Sequence, residues 1–126
     1  MKLVTAIIPP ERLELTKEEL GKIKVFRLTV VDVQGVSGAE PGSVELGGSA
    51  AERYSAGSRR SRAAARSFVK LMIAVNEAFV EPTIAAIVRA AEDGDEGLVD
   101  EFGRVMVSPL EDVIRVRTGE RGPGAI

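Results

Sequence analysis

The sequence predicts an α+β fold, with two helices on one face of a single antiparallel sheet. Three observations carry this prediction. Apolar, β-branched runs recur at 2–8 (KLVTAII), 24–34 (KVFRLTVVDVQ), 69–75 (VKLMIAV) and 104–107 (RVMV), and such residues suit a pleated, half-buried surface. Helical spacing fills the stretches after the first and third runs. The resulting order, β-α-β-β-α-β, is the ferredoxin-like split βαβ arrangement. A short extra C-terminal strand at 113–117 (VIRVR) and a long loop between strands 2 and 3 complete the expected architecture.

Each element has its own reason. Strand one stops at Pro9 and Pro10, which cannot donate to a sheet ladder. The helix over 10–22 opens on Pro10, suited to a first turn, and carries Leu13 and Leu20 seven apart on one face. In strand two, Val25, Arg27, Thr29, Val31 and Val33 share one face, and Phe26, Leu28, Val30 and Asp32 the other. Valines on both faces predict burial on both sides, with a partner subunit covering the face that the helices leave open. In the second helix Val80, Ile84, Ile87 and Ala91 keep helical spacing. Pro82 places its start nearby or kinks it.

Composition narrows the function. A chain of 126 residues fits one domain, with 36–67 as an insertion, 92–104 as a second loop and 113–126 as a C-terminal segment. Cys and His are both absent, which removes thiolate nucleophiles, Cys/His zinc sites and imidazole acid–base chemistry. An enzyme is therefore disfavoured. The formal net charge of −2 argues against nucleic-acid binding by the whole protein. No apolar run approaches the ~18 residues of a membrane span, so the expectation is a cytoplasmic protein without direct membrane insertion.

Three basic or glycine-containing stretches are candidate sites. On a strand, Arg115 and Arg117 would lie on one face, about 7 Å apart, where their guanidinium forks match phosphate oxygens. A solvated edge strand would show the same spacing. Gly103 directly before Arg104 would let backbone N–H groups approach an anion, although a plain turn also fits. The insertion holds Arg53, Arg59, Arg60, Arg62 and Arg66, with Tyr54 as its one aromatic residue. It would dock on an acidic surface, on anionic lipid headgroups or on nucleic acid, or remain solvated. With so little aromatic interleaving, single-stranded nucleic acid is a poor candidate.

These pieces resemble the PII signal-transduction family. The resemblance rests on the opening MKLVTAIIPPERLELTKEEL, the strand ending LTVVDVQG and the closing VIRVRTGERGPGAI, and covers about 1–35 and 69–126. It implies a homotrimer of ferredoxin-like subunits that is a sensor and not an enzyme. An adenine nucleotide (ATP, ADP or AMP) would bind in the clefts between subunits. A mobile T-loop, here the basic 36–67, would engage a target protein such as a membrane transporter or an enzyme. Carried over by position, the resemblance assigns phosphate binding to Arg104, Arg115 and Arg117, with Gly103 beside them. It places Thr29 and Ala74 near the adenine, and Gly35, Val36 and Ser37 where the T-loop begins. Ser37-Gly38-Ala39 stands where the family has Gly-Arg-Gln, so the glutamine of 2-oxoglutarate sensing has no counterpart. That departure is similar to the carboxysome-associated branch, which implies bicarbonate as a second ligand. Nitrogen-regulatory control of ammonium uptake is the alternative.

Overall fold

The computed structural model describes residues 1–36, 65–92 and 103–126. Four strands, β1 (Lys2–Ile8), β2 (Thr29–Val36), β3 (Ala65–Val75) and β4 (Arg104–Pro109), form one sheet in the order β2-β3-β1-β4. Every neighbouring pair is antiparallel. With helices α1 (Leu13–Lys22) and α2 (Glu77–Glu92) following β1 and β3, this is the ferredoxin-like βαββαβ topology.

Strand alternation decides the two faces. Val4, Ala6 and Ile8 of β1 stand opposite Ile73, Leu71 and Val69 of β3, and all six are buried. Leu20 of α1 and Ala86 and Ile87 of α2 close on them to make an aliphatic core. The helices cover the two central strands best. On the same face the edge residues Val30 and Val107 stay over 40% exposed. The opposite face has no described helix above it, though Phe68 at the β3 end of it is buried. There Leu3, Thr5 and Ile7 are half-buried, while Val31 and Met106 are exposed.

Strand two starts later than the sequence suggests. Pairing begins at Thr29, because helix α1 ends in a turn that uses the preceding residues. The Lys24 N–H donates to the Gly21 carbonyl and the Val25 N–H to the Leu20 carbonyl, both at 3.0 Å. That is the Schellman pattern, whose first residue past the helix takes a left-handed conformation. Lys24 fills this position at φ 63°. Strand three starts earlier than expected, at Ala65. The β2–β3 hairpin therefore runs on beyond Ile8, the last β1 residue, which faces Val69. The expected loop at 36–67 is shortened at both ends, and 37–64 lie outside the described residues.

Helix α2 begins at Glu77, so Pro82 falls inside it. Its start is set by Asn76, whose carbonyl accepts the Phe79 N–H at 2.9 Å. The expected C-terminal strand over 113–117 becomes a single bridge, Ile114 to Arg121, closed by a turn. The Gly119 N–H donates to the Arg115 carbonyl at 2.8 Å, and Gly119 itself sits at φ 70°. A glycine in the left-handed region bends the chain back on itself, so it cannot continue as a strand. No helix among the described residues is long and apolar enough to cross a membrane.

Candidate functional site

The C-terminal turn fixes Arg115 and leaves Arg117 out. The Arg115 guanidinium meets the Glu120 carboxylate at 3.0 Å and donates to the Gly124 carbonyl at 3.0 Å. Its backbone N–H donates to the Glu120 carbonyl at 2.8 Å. Arg115 is thus part of the hairpin's own framework. Arg117 lies in the turn at 116–118, exposed, with no carboxylate partner among the described residues. The expectation that strand alternation aims both arginines at one anion is corrected here. There is no strand to alternate, and the two side chains have different surroundings. The Thr118-Gly119 pair was the available signal for a turn.

A second anchor steadies the hairpin's other end. Arg121 meets Asp112 at 2.8 Å. The Asp112 carboxylate also accepts the N–H groups of Val113 at 2.9 Å and Gly122 at 3.2 Å. The Arg121 guanidinium and, to a lesser degree, these two N–H groups hold the Asp112 carboxyl below the usual range. At the end of the chain, Asn76 donates from Nδ2 to the Pro123 carbonyl at 3.2 Å, tying the 3₁₀ turn Pro123–Ala125 to the start of α2.

The remaining candidates are spread across the sheet, with Thr29 on the edge strand β2, Ala74 on the inner strand β3 and Arg104 on the edge strand β4. Thr29 begins β2 opposite Met72, and Ala74 is two residues further along β3 on the same face. Arg104 begins β4 opposite Ile7. Its side chain is exposed and, among the described residues, reaches the neighbouring Gly103 carbonyl at 3.5 Å. Three strand spacings, about 14 Å, separate the β2 edge from the β4 edge. One subunit therefore does not bring Thr29 and Ala74 together with Arg104. Gly35 pairs with Arg66 near the tip of the described hairpin, followed by Val36 opposite Ala65. Ser37, Arg53, Tyr54, Arg59, Arg60 and Arg62 lie outside the described residues, as do 93–102 of the loop before Gly103.

Sequence reasoning missed one feature. A concavity of about 350 Å³ opens at the end of the sheet where α1 leads into β2, lined by Lys24, Phe26, Arg27, Ala74, Asn76 and Phe79 among others. It depends on the left-handed turn at Lys24, and the sequence puts no glycine there to announce it. Phe26 is 72% exposed at its mouth. Among the described residues, no cluster of His, Cys, Asp or Glu is placed to hold a metal ion.

Comparison with known proteins places this geometry. Residues 1–120 match the family model "Nitrogen regulatory protein P-II". The chain is 47% identical over 126 residues to the nitrogen regulatory protein GlnK1 of Methanosarcina mazei, covering all of this chain and 97% of the relative. It is 35% identical over 129 residues to the nitrogen regulatory protein P-II of Rhodospirillum rubrum, with both chains covered in full. The solved structure of a B. subtilis GlnK–ATP complex superposes with a TM-score of 0.72 at 24% identity, over 99% of this chain and 96% of that one. A family model that spans nearly the whole chain, full-length relatives and a shared fold agree: the chain belongs to the P-II signal-transduction family, whose members are regulators and not catalysts.

Proposed function

We propose that the protein is a trimeric nitrogen-regulatory sensor. It binds an adenine nucleotide in the clefts between subunits and signals through the segment 37–64 to a target protein. The observation that carries this reading is the separation of its candidate residues. On the open face Thr29 stands on the edge strand β2 with Ala74 on β3 beside it, and Arg104 stands on the opposite edge strand β4. Neither edge alone makes a nucleotide site. A neighbouring subunit that brings its β2 edge to this β4 edge completes one, with the base at Thr29 and Ala74 and the phosphates at Arg104 and Arg117. Those two arginines are exposed and lack carboxylate partners among the described residues, so their charge is available. Arg115 acts as the support of the hairpin that carries Arg117. Gly103 gives the phosphates close backbone approach, and Gly35, Val36 and Ser37 link the site to the signalling segment.

The open face supports the trimer. Leu3, Val31, Met72 and Met106 are apolar residues of this face, above which no described helix lies, and a subunit interface would remove them from water. The full-length relatives named as nitrogen regulators favour control of nitrogen uptake, with a transporter or enzyme as target. A GlnK–ATP complex on the same fold favours ATP as a ligand. Bicarbonate is the second ligand that the arginine-rich segment would hold.

Isothermal titration with ATP, ADP and AMP tests the reading, each with and without bicarbonate and 2-oxoglutarate. Micromolar binding that weakens at least tenfold in both Arg104→Ala and Arg117→Ala supports it. Nucleotide binding untouched by either substitution contradicts the site. A change in affinity with bicarbonate, and none with 2-oxoglutarate, supports the bicarbonate-linked reading; the reverse supports nitrogen sensing through 2-oxoglutarate.

A further inference from the structure

The open face carries a cation that the nucleotide reading does not use. Residues directly opposite in antiparallel strands share a face. The register therefore places Val31, Lys70, Ile7 and Arg104 in one row across all four strands. Lys70 and Arg104 are two strand spacings apart, about 10 Å between backbones, with only Ile7 between them. Both have side chains long enough to lean over an isoleucine toward a common ligand.

Both belong to the described cations that have no carboxylate partner among the described residues, with Lys24, Arg27, Arg66 and Arg117; Lys70 and Arg104 differ from these in sharing one row of the open face. Lys2, Lys17, Lys22, Arg89, Arg115 and Arg121 each have a carboxylate within 3.9 Å. Lys70 and Arg104 have none among the described residues, and no residue that the register puts on this face is acidic. Lys70 is already half-buried in the single subunit. Covering this face with a second copy takes the ammonium further from water, and an unpaired buried charge is strongly unfavourable. Among the described residues the face offers no anion, and a bound phosphate would supply one.

We propose that Lys70 is a further phosphate-binding residue. Its ammonium and the Arg104 guanidinium grip a nucleotide polyphosphate laid across Ile7. This inference rests on the nucleotide reading above. A monophosphate spans too little to engage both cations, whereas a triphosphate has oxygens enough for each. Lys70 is thus a selector for phosphate number, and Arg104 serves every nucleotide.

The test is titration of the full-length wild type, Lys70→Gln and Lys70→Arg with ATP and AMP at fixed ionic strength. Light scattering of each variant checks its assembly. Removing one charge-assisted hydrogen bond to the phosphates weakens ATP binding roughly tenfold. The expected result is that loss for ATP in Lys70→Gln, AMP affinity within about twofold of wild type, and recovery of most ATP affinity in Lys70→Arg. Equal losses for ATP and AMP would assign Lys70 a structural role and overturn the proposal. So would unchanged ATP binding. A wild type that binds neither nucleotide would overturn the nucleotide reading itself and this inference with it, a result separable from failure of Lys70 alone.

Discussion

Lys24 holds φ at 63° with a full side chain, in a turn that ordinarily takes glycine. For an L-residue that conformation costs about 1–2 kcal/mol. Replacing Lys24 by Gly should therefore raise unfolding stability by about 1 kcal/mol, less than the full strain because the unfolded glycine chain is freer. Urea denaturation of the two proteins measures it, and a less stable Lys24→Gly would show that the turn is not strained. Arg115 and Arg117 teach the complementary lesson about reading single residues. Both were legible as guanidinium groups near the chain end. Their division of labour was not, because it depends on Glu120 and Gly124 meeting Arg115 across a turn. Lys70 was equally visible in the third apolar run, but its place beside Arg104 is set by register across three strands, which no local pattern encodes.

Helices α1 and α2 are joined by a carboxylate as well as by their apolar faces. Glu19 of α1 accepts from Lys22 on its own helix and from Arg89 Nε of α2 at 3.2 Å. The Lys22 bond first, and then the Arg89 bond, hold its carboxyl below the ordinary value of 4.5. A carboxyl depressed by folding stabilises the folded state at pH values above its unfolded pKa. That stability is lost as pH falls through the lowered folded value. Asp112 behaves the same way in the hairpin, below its ordinary 3.8. Stability should hold level from neutral pH down to about 4.5 and then decline, and Glu19→Gln should flatten part of that decline. Thermal melts across pH 7 to 3 check this; an identical acid limb in Glu19→Gln would contradict it. At this scale the sequence was a good guide where local signals and core burial agreed, as in β1 with its closing prolines and in α1. It misplaced the ends of β2 and β3, because the Schellman turn and the hairpin pairing beyond Ile8 owe nothing to hydrophobic period. It read 113–117 as a strand from the alternation of VIRVR, whereas the chain turns back at Gly119.

Among the described residues the sheet has apolar residues on both faces and helices over only one. The valines on both faces of β2 foreshadowed this, since a strand that meets water on one side has little need of them. Assembly through the open face should be sensitive to charge. Met106 lies on it, opposite Thr5 and 48% exposed in the single subunit. Met106→Asp should leave the subunit folded and shift the particle to lower mass, read by light scattering together with circular dichroism; an assembly of unchanged mass would move the interface elsewhere. The topology, the basic residues and the need for a partner face were all legible in the chain. Clefts between subunits were an expectation of the family resemblance; what only the register supplies is that Thr29 on β2 and Arg104 on β4 stand three strands apart and two residues out of row. If neighbouring subunits complete each proposed nucleotide site, native mass spectrometry of the full chain with ATP should show a trimer that carries up to three nucleotides, with subunits freed from the trimer carrying none. A monomer that binds ATP alone, or a trimer that binds none, would contradict the shared site.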